Sequence, residues 1–160
     1  MEELWGTLAA LADWPGARAL RASWIAYLLV NAAHILGVAL LLGTILVLDL
    51  RLLGAFSSVP LAVMGPLQLR VAAFGLCLAV LTGAWLFSIR PTDYAANPAF
   101  QIKLALLAAA FANIGLQHAN ADFRRAMGGA PVRPAVRACA AASIVLWIAL
   151  LVAGRWIGFA

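Results

Sequence analysis

Ionisable side chains are scarce in this chain. Only 11% of its 160 residues are Asp, Glu, Lys or Arg while 66% are hydrophobic, where soluble domains carry roughly 25% and 45–50%. Together with a mean hydropathy of +1.00, that balance excludes an ordinary water-soluble globule and leaves an integral membrane protein. Cysteine is confined to Cys77 and Cys139. With no C-x-x-C pair and no cysteine framework, the fold is not stapled by disulfides and the redox compartment is not readable from them. The chain also lacks paired carboxylates, a nucleophile triad and a phosphate-cradling loop, which removes support for a hydrolase or transferase. Its formal charge of +5 comes from dispersed arginines without a binding motif, so no nucleic acid is expected as a partner and anionic lipid is the simpler one. Glu2 and Glu3 stand where a signal peptide would be basic, and the first residues are expected to stay in the mature chain.

What the chain does have is apolar length. Crossing a hydrocarbon core of ~30 Å takes about 20 helical residues, and runs of that order lie at about 24–48, 71–89, 104–121 and 138–154. Lipid offers backbone groups no partners, and the runs lack the alternation of a barrel strand, so all are read as helices. The expected fold is all-α: an integral membrane, up-down four-helix bundle over 23–160, preceded by an N-terminal interfacial segment over 1–22 that contains a short interfacial helix. In that helix Leu4, Leu8 and Leu11 recur at helical spacing, Glu2, Glu3, Thr7 and Asp13 are polar, and Pro15-Gly16 ends the pattern. Trp5, Trp14, Trp24 and Trp156 fit an aromatic belt on one side. Arg51, Arg70, Arg124, Arg125, Arg133 and Arg137 fall on the face of the first and third connections, against Arg18, Arg21, Arg90, Lys103 and Arg155 opposite. The small excess puts both termini on the periplasmic side of a bacterial inner membrane.

Histidine is the rarest informative residue. His34 and His118 both sit inside apolar runs, where an ionisable group is a functional-site candidate by default. Each lies on the first helix of a hairpin, and each such helix ends in an Asp-x-Arg step, Asp49-Leu50-Arg51 and Asp122-Phe123-Arg124. In a bundle the two rings would face each other across the centre and could hold the iron of a haem b as axial metal ligands. Counted from Arg21 and Lys103 the rings lie at similar depth, roughly 20 and 22 Å. Counted to Asp49 and Asp122 they differ by about 16 Å, so the two counts agree only if the first helix tilts, bends or protrudes.

Neighbouring residues suit a crowded site. Gly37 and Gly115 lie three residues from His34 and His118, leaving a bare patch beside each ring for a macrocycle, or equally for helix packing. Asn31 could orient His34, and Asn113 with Gln117 could orient His118, through the second imidazole nitrogen, or they could bond across helices. Arg70, Arg51 and Arg124 could receive haem propionates or anchor at the interface. Cys77 with one or both histidines would instead suit copper, although Met64 and Met127 form no methionine motif.

The segment Asn31-Ala-Ala-His34-Ile-Leu-Gly37, running on to Asp49-Leu-Arg51-Leu-Leu-Gly54, resembles the first helix of a family of small uncharacterised bacterial four-helix membrane proteins. More distantly it is similar to copper resistance protein D and b561-type cytochromes. The resemblance implies a membrane domain whose intramembrane histidine ligates haem, carried over at His34 alone. Two histidines fall short of the four that two bis-histidine haems need. The expected function is an electron carrier with one haem b, exchanging electrons with a quinone or a redox protein and sharing haem in a homo-oligomer if one chain does not suffice. The alternatives are a cofactor-free structural or accessory subunit and a copper-handling protein.

Overall fold

Helix boundaries follow from capping chemistry more than from where charges fall. In the computed structural model, which describes residues 2–159, the chain is all helical: α1 (Glu2–Leu11), α2 (Pro15–Ala22), α3 (Trp24–Leu53), α4 (Leu61–Phe87), α5 (Pro91–Ala96), α6 (Pro98–Ala119), α7 (Ala121–Met127) and α8 (Pro134–Trp156). Ser23 caps α3 by accepting the Ala26 amide at 3.3 Å. Asn97 caps α6 at Ala99, 2.8 Å, and Asn120 caps α7 at Asp122, 2.9 Å. Proline opens α2, α5, α6 and α8, where its missing N–H costs nothing. Gly54 ends α3 at φ 116°, with Ala55 N–H returning to Leu50 O at 2.9 Å. A left-handed residue with that six-to-one bond is a glycine stop.

α3, α4, α6 and α8 are long and apolar enough to cross a membrane. All four are longer than the expected runs, and α3 continues to Leu53. α4 starts at Leu61 and carries Pro66 and Arg70 inside it, α6 starts at Pro98, and α8 runs from Pro134 to Trp156. Pro66 lies inside α4 and forfeits one i→i−4 bond there, a loss that membrane helices make good from neighbouring groups, so breaker residues overstated the connections. The N-terminal segment is two helices broken before Pro15. The Trp14 indole donates to Ser88 Oγ at 2.9 Å, Trp85 donates to Gly16 O at 3.0 Å and Arg21 to Ile89 O at 3.2 Å. Those bonds tie α2 to the far end of α4. The side chains of Glu2 and Leu4 lie outside the described residues.

The spans form a bundle in which α3 packs between α4 and α8, and α6 packs on α8. α3 and α4 meet backbone to backbone. A Cβ on Gly37 would lie 2.7 Å from Ala79 N and 2.9 Å from Gly75 O, and one on Gly75 would lie 2.7 Å from Leu41 N. Small residues at the crossing allow this approach, as in other membrane helix pairs. One core layer joins Leu41, Ala72, Ala110 and Trp147. A second, nearer α7, joins Leu48, Leu52, Leu61, Phe123, Val136 and Ala140. Leu28, Ile35, Leu81, Leu116 and Val145 point outward, the pattern expected where the surrounding medium is hydrocarbon.

Gly37→Ala forces two backbones apart, whereas Gly43 has no atom within 4 Å of an added Cβ. Thermal unfolding in detergent is expected to show Gly37→Ala less stable by about 1–3 kcal/mol and Gly43→Ala unchanged or slightly more stable.

Candidate functional site: a buried carboxyl facing unpaired oxygen

Three helices bring polar side chains to one place beside the second core layer. Asp49 stands four residues before the end of α3 on the same face as Ile45 and Leu52. α6 contributes Asn113 and Gln117, one turn apart, and His118. α8 contributes Cys139, Ser143 and Trp147, again at helical spacing. They surround a cavity of about 30 Å³, enough for roughly two water molecules.

The lining is rich in acceptors. Asp49 is 5% exposed and Gln117 7%, and Asp49 Oδ2 and Gln117 Oε1 are buried with no hydrogen-bond partner. Amide orientation follows from α8: Asn113 Nδ2 donates to Cys139 O at 3.1 Å and Gln117 Nε2 to Val136 O at 3.4 Å. A backbone carbonyl only accepts, so both NH₂ groups face α8 and both amide oxygens are left for other partners. The Ser143 side chain lies beside the carboxyl. A buried acceptor without a donor costs about 1–3 kcal/mol, more when charged, and a lone carboxylate at membrane depth is costlier still. The arrangement calls for a proton, a water or a cation.

His118 lies at the rim of this cavity, exposed, with its ring 5.3 Å from that of Phe123. Its Nδ1 is 2.9 Å from Ile114 O in its own helix, which makes Nδ1 the protonated nitrogen and leaves Nε2 to exchange protons or bind. Arg124 donates to His118 O at 3.0 Å and Ala119 O at 3.2 Å, and Arg51 donates to Val59 O at 2.8 Å. Neither guanidinium is free in the manner expected of a propionate anchor.

His34 occupies a different site. Its Nδ1 donates to Ala79 O on α4 at 2.9 Å and lies 3.2 Å from Thr82 Oγ1, and its Cε1 sits 3.0 Å from where a Gly83 Cβ would be. Lys103 is within electrostatic reach. Lys103 is also 15 residues before His118 on α6, and His34 is 15 residues before Asp49 on α3. At 1.5 Å per residue the two imidazoles therefore lie on the order of 22 Å apart in depth. One iron cannot take both, and the residues do not fit a haem held between them. The matching depth count failed because its reference charges do not mark the membrane surface. Lys103 lies inside α6, its stem 3.8 Å from a Gly154 Cβ position, and Arg21 belongs to α2, separated from α3 by Ser23.

Of the other expected site residues, Gly37 serves the α3–α4 crossing, Asn31 is partly buried, and Gly115 is exposed with nothing within 4 Å of an added Cβ. Arg70 is exposed on α4 and Cys77 is exposed without lining the cavity. No group of three or more His, Cys, Asp or Glu side chains able to hold a metal occurs among the described residues. Asn113 and Gln117 do lie beside His118, but their amide hydrogens bond across to α8. The residue that pattern reading passed over is Asp49, seen only as part of an Asp-x-Arg step. Its signal was the unbroken helix after it, which places the carboxyl inside the span.

Asp49→Asn swaps an acceptor for an amide donor in the cavity that holds Gln117 Oε1. We expect the variant to fold and to unfold in detergent at a higher temperature, by about 1–2 kcal/mol in stability, as read by circular dichroism melts.

No curated protein and no solved structure matches the chain, and no similarity to copper resistance protein D or to b561-type cytochromes is shown. The description of a family of unknown function, DUF6644, matches residues 23–160, the part that contains all four spans, His34, Asp49 and His118. The chain belongs to DUF6644.

Proposed function

We propose that this protein handles protons within the membrane, with Asp49 as the group that binds and releases them. The supporting observation is the buried Asp49 Oδ2, which has no protein partner inside a helix long and apolar enough to cross a membrane. His118 is the relay at the mouth: exposed, on the α7 side, and with Nε2 open. A proton arriving from that side would pass from the imidazole to the small cavity and on to the carboxyl. The excess of arginine on that side fits a cytoplasmic mouth and periplasmic termini in a bacterial inner membrane. The apolar layer of Leu41, Ala72, Ala110 and Trp147 lies beyond the cavity toward His34 and would keep the site in contact with one aqueous face at a time.

Difference infrared spectroscopy on the reconstituted protein tests this. A carboxylic C=O band that appears and vanishes with pH, and is missing in Asp49→Asn, is the expected result. His118→Ala should leave the band in place and slow its exchange with D₂O about 10-fold or more. Absence of any Asp49-dependent band across the pH range in which the protein stays folded rejects the proposal.

The second reading is an electron carrier with haem b ligated through His34 alone, passing electrons to a quinone, a redox protein or a second copy of the chain. The observation favouring it is the bond from His34 Nδ1 to Ala79 O, because ligating histidines commonly donate their other nitrogen to a carbonyl. After reconstitution with haem, a Soret band lost in His34→Ala and retained in His118→Ala is expected. A colourless protein rejects this reading.

A further inference from the structure

We propose that the Asp49 cavity is a site for a small monovalent metal cation of the sodium class, which competes there with the proton. The inference rests on Asp49 being the proton-binding group. Its own basis is the sign and number of the lining groups. Asp49 Oδ2 and Gln117 Oε1 are both buried acceptors without donors, and both amides on α6 have their NH₂ groups drawn away by the carbonyls of Val136 and Cys139. A proton on Asp49 satisfies one carboxyl oxygen and at most one further acceptor, whereas a cation satisfies several oxygens at once. Hard cations take oxygen ligands of this kind, carboxylate and amide carbonyl together.

Charge and volume narrow the class. Among the residues around the cavity, Asp49 alone is acidic, so a monovalent ion closes the balance and a divalent one would leave a buried positive charge. A cavity of about 30 Å³, with room for roughly two waters, suits a small ion with at most one water better than a bulky organic cation. The titratable groups facing the carboxyl are His118 from α6 and Cys139 from α8, while α4 and α7 present only Leu69 and Phe123.

The probe is sodium chloride against choline chloride at equal ionic strength, on the full chain in detergent. Sodium is expected to raise the unfolding temperature saturably, by about 3–6 °C at tenfold over half-saturation. It should also shrink the Asp49 carboxylic band, and the rise in unfolding temperature should be lost in Gln117→Leu. A band that responds to pH but not to sodium overturns the cation site and leaves the proton reading intact. A sodium effect that survives in Asp49→Asn also overturns it. No Asp49-dependent band at all removes both.

Discussion

Two amide-to-carbonyl hydrogen bonds between α6 and α8 govern the polar interior of this bundle. In hydrocarbon a side-chain NH₂ must find a protein acceptor, and Asn113 and Gln117 find theirs on the backbone at Cys139 and Val136. Backbone carbonyls cannot reciprocate. Once the donors are committed to α8, the Gln117 oxygen is left buried in the lining of the same cavity as the Asp49 carboxyl, and no Lys or Arg side chain lines it. The requirement for a proton, water or metal ion follows from that orientation.

The glycine crossing of α3 and α4 performs the opposite service at the other end. With Gly37 and Gly75 in backbone contact, α4 lies close enough for Ala79 O to accept from the His34 ring, so one nitrogen of that imidazole is paired within the span. Asp49, on the same helix about 22 Å further along, has no equivalent contact for one of its oxygens. Two ionisable groups on one helix thus differ in their satisfaction because their neighbouring helices differ. One faces backbone, the other a gap. This contrast is what makes Asp49 the stronger functional candidate, since His34 has a protein partner within the span and the Asp49 Oδ2 has none.

Much of the architecture was legible along the chain. Composition and run length identified four membrane-spanning helices and their order, because the hydrocarbon thickness fixes how many apolar residues a span needs. Span edges were less legible. Pro66 and Arg70 read as a connection yet lie in α4, since a membrane helix tolerates an interior proline and a long arginine can reach outward from within it. At the site, His118, Asn113 and Gln117 were identified as polar residues sharing a stretch of α6, while the α8 carbonyls that bond Asn113 and Gln117 were not. Ser143 and Trp147 look like ordinary span residues in the sequence, and their position against Asp49 is a matter of how α8 is rotated. The expected pairing of His34 with His118 failed on register. It assumed that Arg21 and Lys103 mark the same surface, and neither does.

By itself the sequence determined that the chain is apolar, helical and long enough to cross a bilayer four times, and that a handful of polar residues sit where lipid penalises them. Those are properties of single segments, fixed by transfer free energies and helical rise. Only the tertiary structure decided which polar residues meet, that His34 is separated from His118 by much of the bundle's depth, and that Asp49 and Gln117 present unpaired oxygens to one cavity. Such facts depend on how far each helix slides and turns against its neighbours. Side-chain packing and interhelical hydrogen bonds set that, and neither is encoded in the periodicity of one segment.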